Sequence, residues 1–189
     1  MKNIVDHLAQ YAAYHRNRKN VATHIVGIPM IVVGIISLLS RPALPLDYLL
    51  ITPASLVVLA AVIFYIRLDI KLGLLMTVLL WLSLAIGRDI AALPTMFWLS
   101  WGIGLFVVGW IFQFIGHYFE GRKPAFVDDI MGLAIGPLFV VAEVVFILGF
   151  RKDLKAAVEQ KLWWNWITLS GFMTGRLPNP GLIPLAPEI

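Results

Sequence analysis

The 189-residue chain contains no cysteine, which excludes disulfides, iron–sulfur clusters and thiolate catalysis. Charged residues are also scarce, at 14% of the chain against about 25% in an ordinary soluble domain. The polar and basic N-terminal segment lacks the short apolar core and the cleavage site of a signal peptide. Few side chains are therefore left for metal or acid–base chemistry. Only four of them are histidines: His7, His15, His24 and His117.

Apolar residues, in contrast, are abundant and make up 60% of the chain. The mean hydropathy is +0.85. A soluble domain of this size cannot bury so much apolar surface, so a soluble enzyme is excluded and a small multi-pass membrane protein is predicted. The formal charge of +4 is better explained by membrane orientation than by nucleic acid, and we expect no nucleic-acid partner.

Four apolar runs predict membrane spans, at residues 21–39, 48–66, 72–86 and 96–115. A fifth apolar run at 132–150 is interrupted by Pro137 and Glu143. We therefore predict an all-α fold: a polytopic membrane helical bundle with four full transmembrane helices, a Pro-broken fifth hydrophobic segment and interfacial helices.

The same patterns predict a single integral-membrane domain over residues 1–189. Its parts are an interfacial helix at 1–19, a membrane bundle at 21–150, an amphipathic surface helix at 151–170 and a Pro-rich tail at 171–189. Basic residues before the first span indicate a cytoplasmic N-terminus. A full crossing by 132–150 would put the basic 151–161 segment outside, so a re-entrant segment or hairpin is favoured. The C-terminal APEI carries no retention signal, which favours a bacterial inner membrane over the endoplasmic reticulum of a eukaryote.

Three histidines fall on one membrane face in this topology, because an even number of spans separates His24 from His117. His15 and His24 are nine residues apart and would lie on opposite faces of one continuous helix. The chain must turn between them, and we expect Asn20 to cap a helix that begins at Val21. On the fourth span, Gln113, His117 and Glu120 share one helical face.

Imidazole and carboxylate ligands without thiolate suit Fe(II), Zn or Mn. Three protein ligands on an octahedral ion leave positions for two substrate oxygens and for O₂, which is typical of non-haem oxygenases. Membrane di-iron desaturases need several histidine clusters, which four histidines cannot supply. Two other hypotheses stay open: a non-enzymatic lipid-binding or scaffold protein whose histidines are structural, and a small transporter, which the lack of paired broken helices disfavours.

Two motifs resemble the 2-hydroxy fatty acid dioxygenase family, formerly a domain of unknown function. The family includes a fungal enzyme of phytosphingosine α-oxidation and bacterial relatives. The first motif is YHRNRKNVATHIVGIP, from Tyr14 to Pro29, and the second is FQFIGHYFEGRKPA, from Phe112 to Ala125. The later segment with Pro137 and Glu143 is also similar, so the resemblance covers roughly residues 8 to 150.

The resemblance implies an Fe(II)-dependent dioxygenase that shortens a 2-hydroxy fatty acid by one carbon with O₂. It makes His15, His24 and His117 the metal ligands and catalytic residues, with Glu120 at an acidic family position as a fourth candidate. His7 matches no motif position. We expect supporting or substrate-binding roles for Tyr14, Asn20, Gln113, Arg122, Lys123 and Glu143.

Overall fold

The computed structural model describes residues 2–46, 49–121 and 130–174, and within these ranges it is almost entirely helical. Two three-residue strands, β1 (Leu44–Leu46) and β2 (Leu49–Ile51), form a small antiparallel hairpin between helices. The predicted all-α class is confirmed. The helices are α1 (Ile4–Ala12), α2 (Arg18–Ser40), α3 (Pro53–Leu68), α4 (Ile70–Ala91), α5 (Thr95–Glu120), α6 (Met131–Ile147) and α7 (Lys152–Thr174).

Three of these helices, α2, α4 and α5, are long and apolar enough to cross a membrane, which identifies a multi-pass membrane protein. The prediction of four full spans is not confirmed, because α3 has only 16 residues. At 1.5 Å per residue it is about 24 Å long, less than the ~30 Å hydrocarbon layer. Its start is defined by Thr52 and Ser55, which form a reciprocal capping box around Pro53. The residues before this cap form the hairpin instead of another helical turn.

A seam of glycines joins α2 to α5 in antiparallel orientation. A Cβ atom on Gly109 would lie 2.7 Å from the carbonyl oxygen of Gly27, and one on Gly34 would lie 2.9 Å from that of Gly102. The two backbones therefore approach as closely as only glycine allows. Gly104 of α5 has no neighbouring atom of the described residues within 4 Å of its Cβ position and faces away from the seam. This contact sets the spacing between the two helices that carry His24 and His117.

The fifth apolar segment is bent, but not at its proline. Helix α6 is continuous through Pro137, so the prediction of a Pro-broken segment is wrong about the place of the break. The chain bends by 117° between α6 and α7 instead. Gly149 (φ 81°) and Arg151 (φ 51°) adopt left-handed conformations there, which end one helix before the next begins.

Both ends of α6 are tied to the same end of α3. The Tyr65 hydroxyl donates to the carbonyl of Ala134 at 2.8 Å, and Arg151 forms a bidentate pair with Asp69 at 2.8 and 3.0 Å. Tyr65 and Asp69 are only one helical turn apart, whereas the part of α6 between the two ties is about 20 Å long. The start of α6 and the residues that follow it are therefore both bound near the same end of α3.

Helix α1 packs on α6 and α7 at this end of the bundle. It begins at a capping box made by Asn3 and Asp6, and Asp6 also pairs with Lys161 of α7 at 3.3 Å. Helix α1 ends at Ala12, earlier than the predicted 1–19 segment. Helix α7 covers most of the predicted 151–170 segment, and it buries Leu154 and Val158. Most of the predicted Pro-rich tail lies outside the described residues.

Candidate metal centre

Three histidines from three different parts of the chain meet at the end of the bundle. His15 lies in the turn after α1, His24 on the second turn of α2, and His117 near the end of α5. One nitrogen from each lies within 4.8 Å of the others. The ring centroids are 4.6 to 5.1 Å apart, and all three side chains are buried. The convergence expected from the topology is thus seen in the structure. We call this group the histidine cluster.

The turn at residues 13–17 brings His15 back toward His24. Asn17 caps α2, because its side-chain oxygen accepts from the backbone N–H of Lys19 at 2.9 Å. The prediction that Asn20 caps this helix is wrong: α2 begins at Arg18, and Asn20 is a fully buried residue in its first turn. The chain reverses earlier than expected, and the first turn of α2 is polar.

Backbone carbonyls fix the orientation of two imidazole rings. His15 Nδ1 lies 2.8 Å from the carbonyl oxygen of Tyr11, and His24 Nδ1 lies 2.9 Å from that of Asn20. A carbonyl only accepts, so each Nδ1 carries the proton and each neutral ring presents a lone pair on Nε2. Carbonyl partners of this kind orient metal-binding histidines in many proteins.

The two Nε2 lone pairs face each other. His15 Nε2 and His24 Nε2 are 3.1 Å apart, and without a cation between them two acceptors at this distance repel. A shared proton is disfavoured, because burial lowers the pKa of His15 to about 4. Two metal–nitrogen bonds of about 2.1 Å put their nitrogens about 3.0 Å apart at a right angle and about 3.4 Å apart at the tetrahedral angle. The spacing therefore fits two neighbouring ligands on one ion, nearer to the octahedral value.

His117 completes the cluster. Its Nδ1 is buried and has no hydrogen-bond partner among the described residues. One ring nitrogen of His117 lies within 4.8 Å of a nitrogen of each of the other two histidines, as a third metal ligand requires. Residues 122–129 follow this helix and lie outside the described residues, so the predicted roles of Arg122 and Lys123 lie outside them as well.

Glu120 does not join the histidine cluster, although it lies one turn from His117. Its carboxylate accepts from the backbone N–H groups of Arg16 and Asn17 at 2.9 to 3.1 Å. It also accepts from Asn20 Nδ2 at 2.9 Å. The carboxylate thus holds the turn that carries His15 against the end of α5. In this arrangement its oxygens are engaged by the chain itself.

The other predicted supporting residues have diverse surroundings. Gln113 is buried one turn below His117 and packs at Gly27, and its Nε2 has no partner among the described residues. Tyr14 lines a cleft between α1 and α6. Glu143 interacts electrostatically with Lys155 and Glu159 of α7 and does not belong to the histidine cluster.

An aromatic wall covers the histidine cluster, and the sequence patterns did not assign it. The Tyr11 ring stacks on the His15 ring with centroids 4.2 Å apart and an angle of 1° between their planes. Phe139 of α6 packs against both rings, at 4.8 and 5.5 Å. The spacing of Tyr11 and His15, four residues apart, signals such a contact, but no local signal points to Phe139.

Comparison with known proteins gives a consistent result. The family model described as 2-hydroxy-palmitic acid dioxygenase Mpo1-like matches residues 1–148. The chain is 36% identical over 159 residues to 2-hydroxy-palmitic acid dioxygenase MPO1 of Saccharomyces cerevisiae. That alignment covers 82% of this chain and 87% of the yeast protein. No solved structure matches the chain.

Proposed function

Because the chain belongs to the Mpo1-like family of 2-hydroxy-palmitic acid dioxygenases, we propose that it oxidises 2-hydroxy fatty acids with O₂. The product is a fatty acid shortened by one carbon. The observation that carries this proposal is the pair of His15 and His24 Nε2 atoms at 3.1 Å, in a buried group that has a ring nitrogen of His117 within 4.8 Å. This donor set fits a resident Fe(II).

In this proposal His15, His24 and His117 hold the iron, and Glu120 positions the turn that carries His15. Bound Fe(II) supplies the reactivity toward O₂ that no side chain provides. The chain's own contribution is to exclude water, since all three imidazoles are buried and Tyr11 and Phe139 pack on that of His15. Because neutral imidazoles carry no negative charge, they would leave the positive charge of a bound Fe(II) available to attract a 2-hydroxy carboxylate.

We place the histidine cluster at the cytoplasmic face of the membrane, with a bacterial inner membrane as the favoured host. Lys2, Arg16, Arg18 and Lys19 precede or begin α2 and support this orientation. The Asp69–Arg151 pair adds support, because it keeps the basic start of α7 at the same end of the bundle. An acid drawn from the bilayer would then have its head group at the interface, where these cations attract it.

The test starts with anaerobic purification and iron analysis, followed by O₂ uptake and product mass spectrometry with 2-hydroxypalmitic acid. We expect about one iron per chain, a one-carbon-shorter product, and loss of both in His24→Ala and His117→Ala. Normal iron content in these variants would contradict the ligand assignment. Absence of O₂ uptake with any supplied metal would instead favour the lipid-binding or scaffold hypothesis.

A further inference from the structure

A cleft lies beside the histidine cluster on the far side of Tyr11. Its α1 side is lined by His7, Gln10, Tyr11 and Tyr14, and its α6 side includes Gly132 and Ile135. We call it the α1–α6 cleft. It is narrow, with a volume of about 20 Å³, and it opens to the outside on one side. The three histidines of the cluster are between 1% and 8% exposed, so a substrate must pass a barrier to reach them.

The lining of the cleft suits an amphiphilic acid. Polar and aromatic side chains of the α1 side face the apolar Ile135 on α6. At the rim, the ammonium of Lys2 donates to Gln10 Oε1 at 2.7 Å, which places a positive charge next to the mouth. A carboxylate with a hydrocarbon tail can satisfy both kinds of surface.

Tyr11 contacts both the cleft and the histidine cluster. One face of Tyr11 stacks on His15, while the same residue lines the cleft. Its hydroxyl lies against Gly136 of α6, where an added Cβ would come within 3.0 Å of it. Glycine at this position leaves room for the ring, and a small displacement of Tyr11 would join the cleft to the cluster.

We infer that the α1–α6 cleft is the port through which the 2-hydroxy acid reaches the histidine cluster, with Tyr11 as the movable barrier. This inference rests on the proposed function, because it takes the substrate class from it. It gives a substrate-binding role to Gln10, Tyr14 and Gly132, none of which is a candidate metal ligand.

The absence of native cysteine allows a direct test. Gly132→Cys introduces a single thiol into the cleft, and Gly104→Cys is the matched control at a helix position with open space around it. Both folded proteins are labelled with a small and a bulky methanethiosulfonate reagent. Iron content is measured before and after labelling.

We expect 2-hydroxypalmitic acid to slow labelling of the Gly132→Cys thiol about tenfold or more, and to leave labelling of the Gly104→Cys thiol unchanged. The bulky adduct in Gly132→Cys should raise KM about tenfold or more at constant iron content, and a reductant should reverse this effect. The small adduct should have a weaker effect.

The port would be refuted if the protein oxidises 2-hydroxypalmitic acid but the acid does not slow labelling of the Gly132→Cys thiol and the bulky adduct leaves KM unchanged. An inactive wild-type protein whose Gly132→Cys thiol is still protected would contradict the proposed oxidation while supporting the binding site. The two proposals therefore fail separately. If Gly132→Cys does not fold, Gln10→Cys places the thiol on the opposite wall and must give the same pattern.

Discussion

Removal of the Glu120 carboxylate should weaken metal binding without removing a ligand. Three donors lose a charged acceptor in Glu120→Ala: the backbone N–H groups of Arg16 and Asn17, and the amide of Asn20. Hydrogen bonds to charged groups contribute about 1.5–3 kcal/mol each, and less where water replaces the acceptor. Because the Arg16 contact is exposed, we take about 3 kcal/mol for the set.

This free energy is the cost of ordering the turn that carries His15, which the metal must then supply. At 1.4 kcal/mol for each tenfold change, 3 kcal/mol corresponds to about a hundredfold weaker metal binding. The assay is a competitive Zn²⁺ or Fe²⁺ titration against a chromophoric chelator, with purified protein in detergent. His24→Ala serves as the reference for loss of a ligand.

Glu120→Gln distinguishes a positioning residue from a ligand. Its amide oxygen can still accept from the Arg16 and Asn17 backbone, and its NH₂ group can donate to Asn20 Oδ1, which is buried without a partner among the described residues. We expect about a tenfold loss of affinity, clearly smaller than in Glu120→Ala. A Gln variant as impaired as His24→Ala would refute this reasoning, because it would show that the carboxylate itself binds the metal.

Three further predictions concern stability. Zn²⁺ at about a thousand times its Kd should stabilise the wild-type fold by about 4 kcal/mol, and a thermal shift assay should show no such effect for His24→Ala. Gly109→Ala should cost about 1–3 kcal/mol in denaturant unfolding because its Cβ meets the α2 backbone. Gly104→Ala, which has open space around its Cβ, should instead raise stability by about 0.5–1 kcal/mol because alanine favours the helix. Asp69→Asn should cost about 1–3 kcal/mol at pH 7. The bond to Arg151 lowers the pKa of Asp69 below 3.8, so this stabilisation is present above that pH and is lost as the pH falls through the lowered pKa. Unfolding curves of both proteins should therefore converge in acid and stay apart at neutral pH.

The long helices were predictable from the lengths of the apolar runs, and the meeting of the histidines was predictable from the even number of predicted spans between them. An apolar run long enough to span predicts α2, α4 and α5. The chain then passes through four successive helices, α2 to α5, and returns His117 to the level of His24. The nine-residue spacing of His15 and His24 required a turn, and the structure has one at residues 13–17. These inferences need no knowledge of side-chain packing.

The roles of Asn17, Asn20 and Glu120 could not be predicted in this way. Both asparagines are good N-cap residues three positions apart, and local propensity does not choose between them. The choice depends on Glu120, about a hundred residues away, which accepts from the Asn17 backbone and from the Asn20 side chain. The Glu120 carboxylate can stabilise the turn only because the end of α5 packs against the start of α2.

The bend after α6 was misplaced for a similar reason. Pro137 removes one backbone hydrogen bond, yet α6 continues through it. The chain bends where Gly149 and Arg151 take positive φ, and Arg151 is held there by Asp69 from the turn between α3 and α4. A half-buried ion pair between distant segments is thus found at the bend, whereas the helix is continuous at its proline.

Backbone geometry also determines which ring nitrogen carries the proton in His15 and His24. Composition identifies imidazoles, but whether their Nε2 atoms carry protons depends on which carbonyls lie beside Nδ1. Tyr11 and Asn20 supply those carbonyls because each precedes its histidine by four residues, one at the end of α1 and one in the first turn of α2. The reversal at residues 13–17 then turns two acceptors toward one point. The metal affinity that we propose would therefore depend on these helix ends as well as on the ligands, and the variants of Glu120, which holds one of those ends, test this dependence directly.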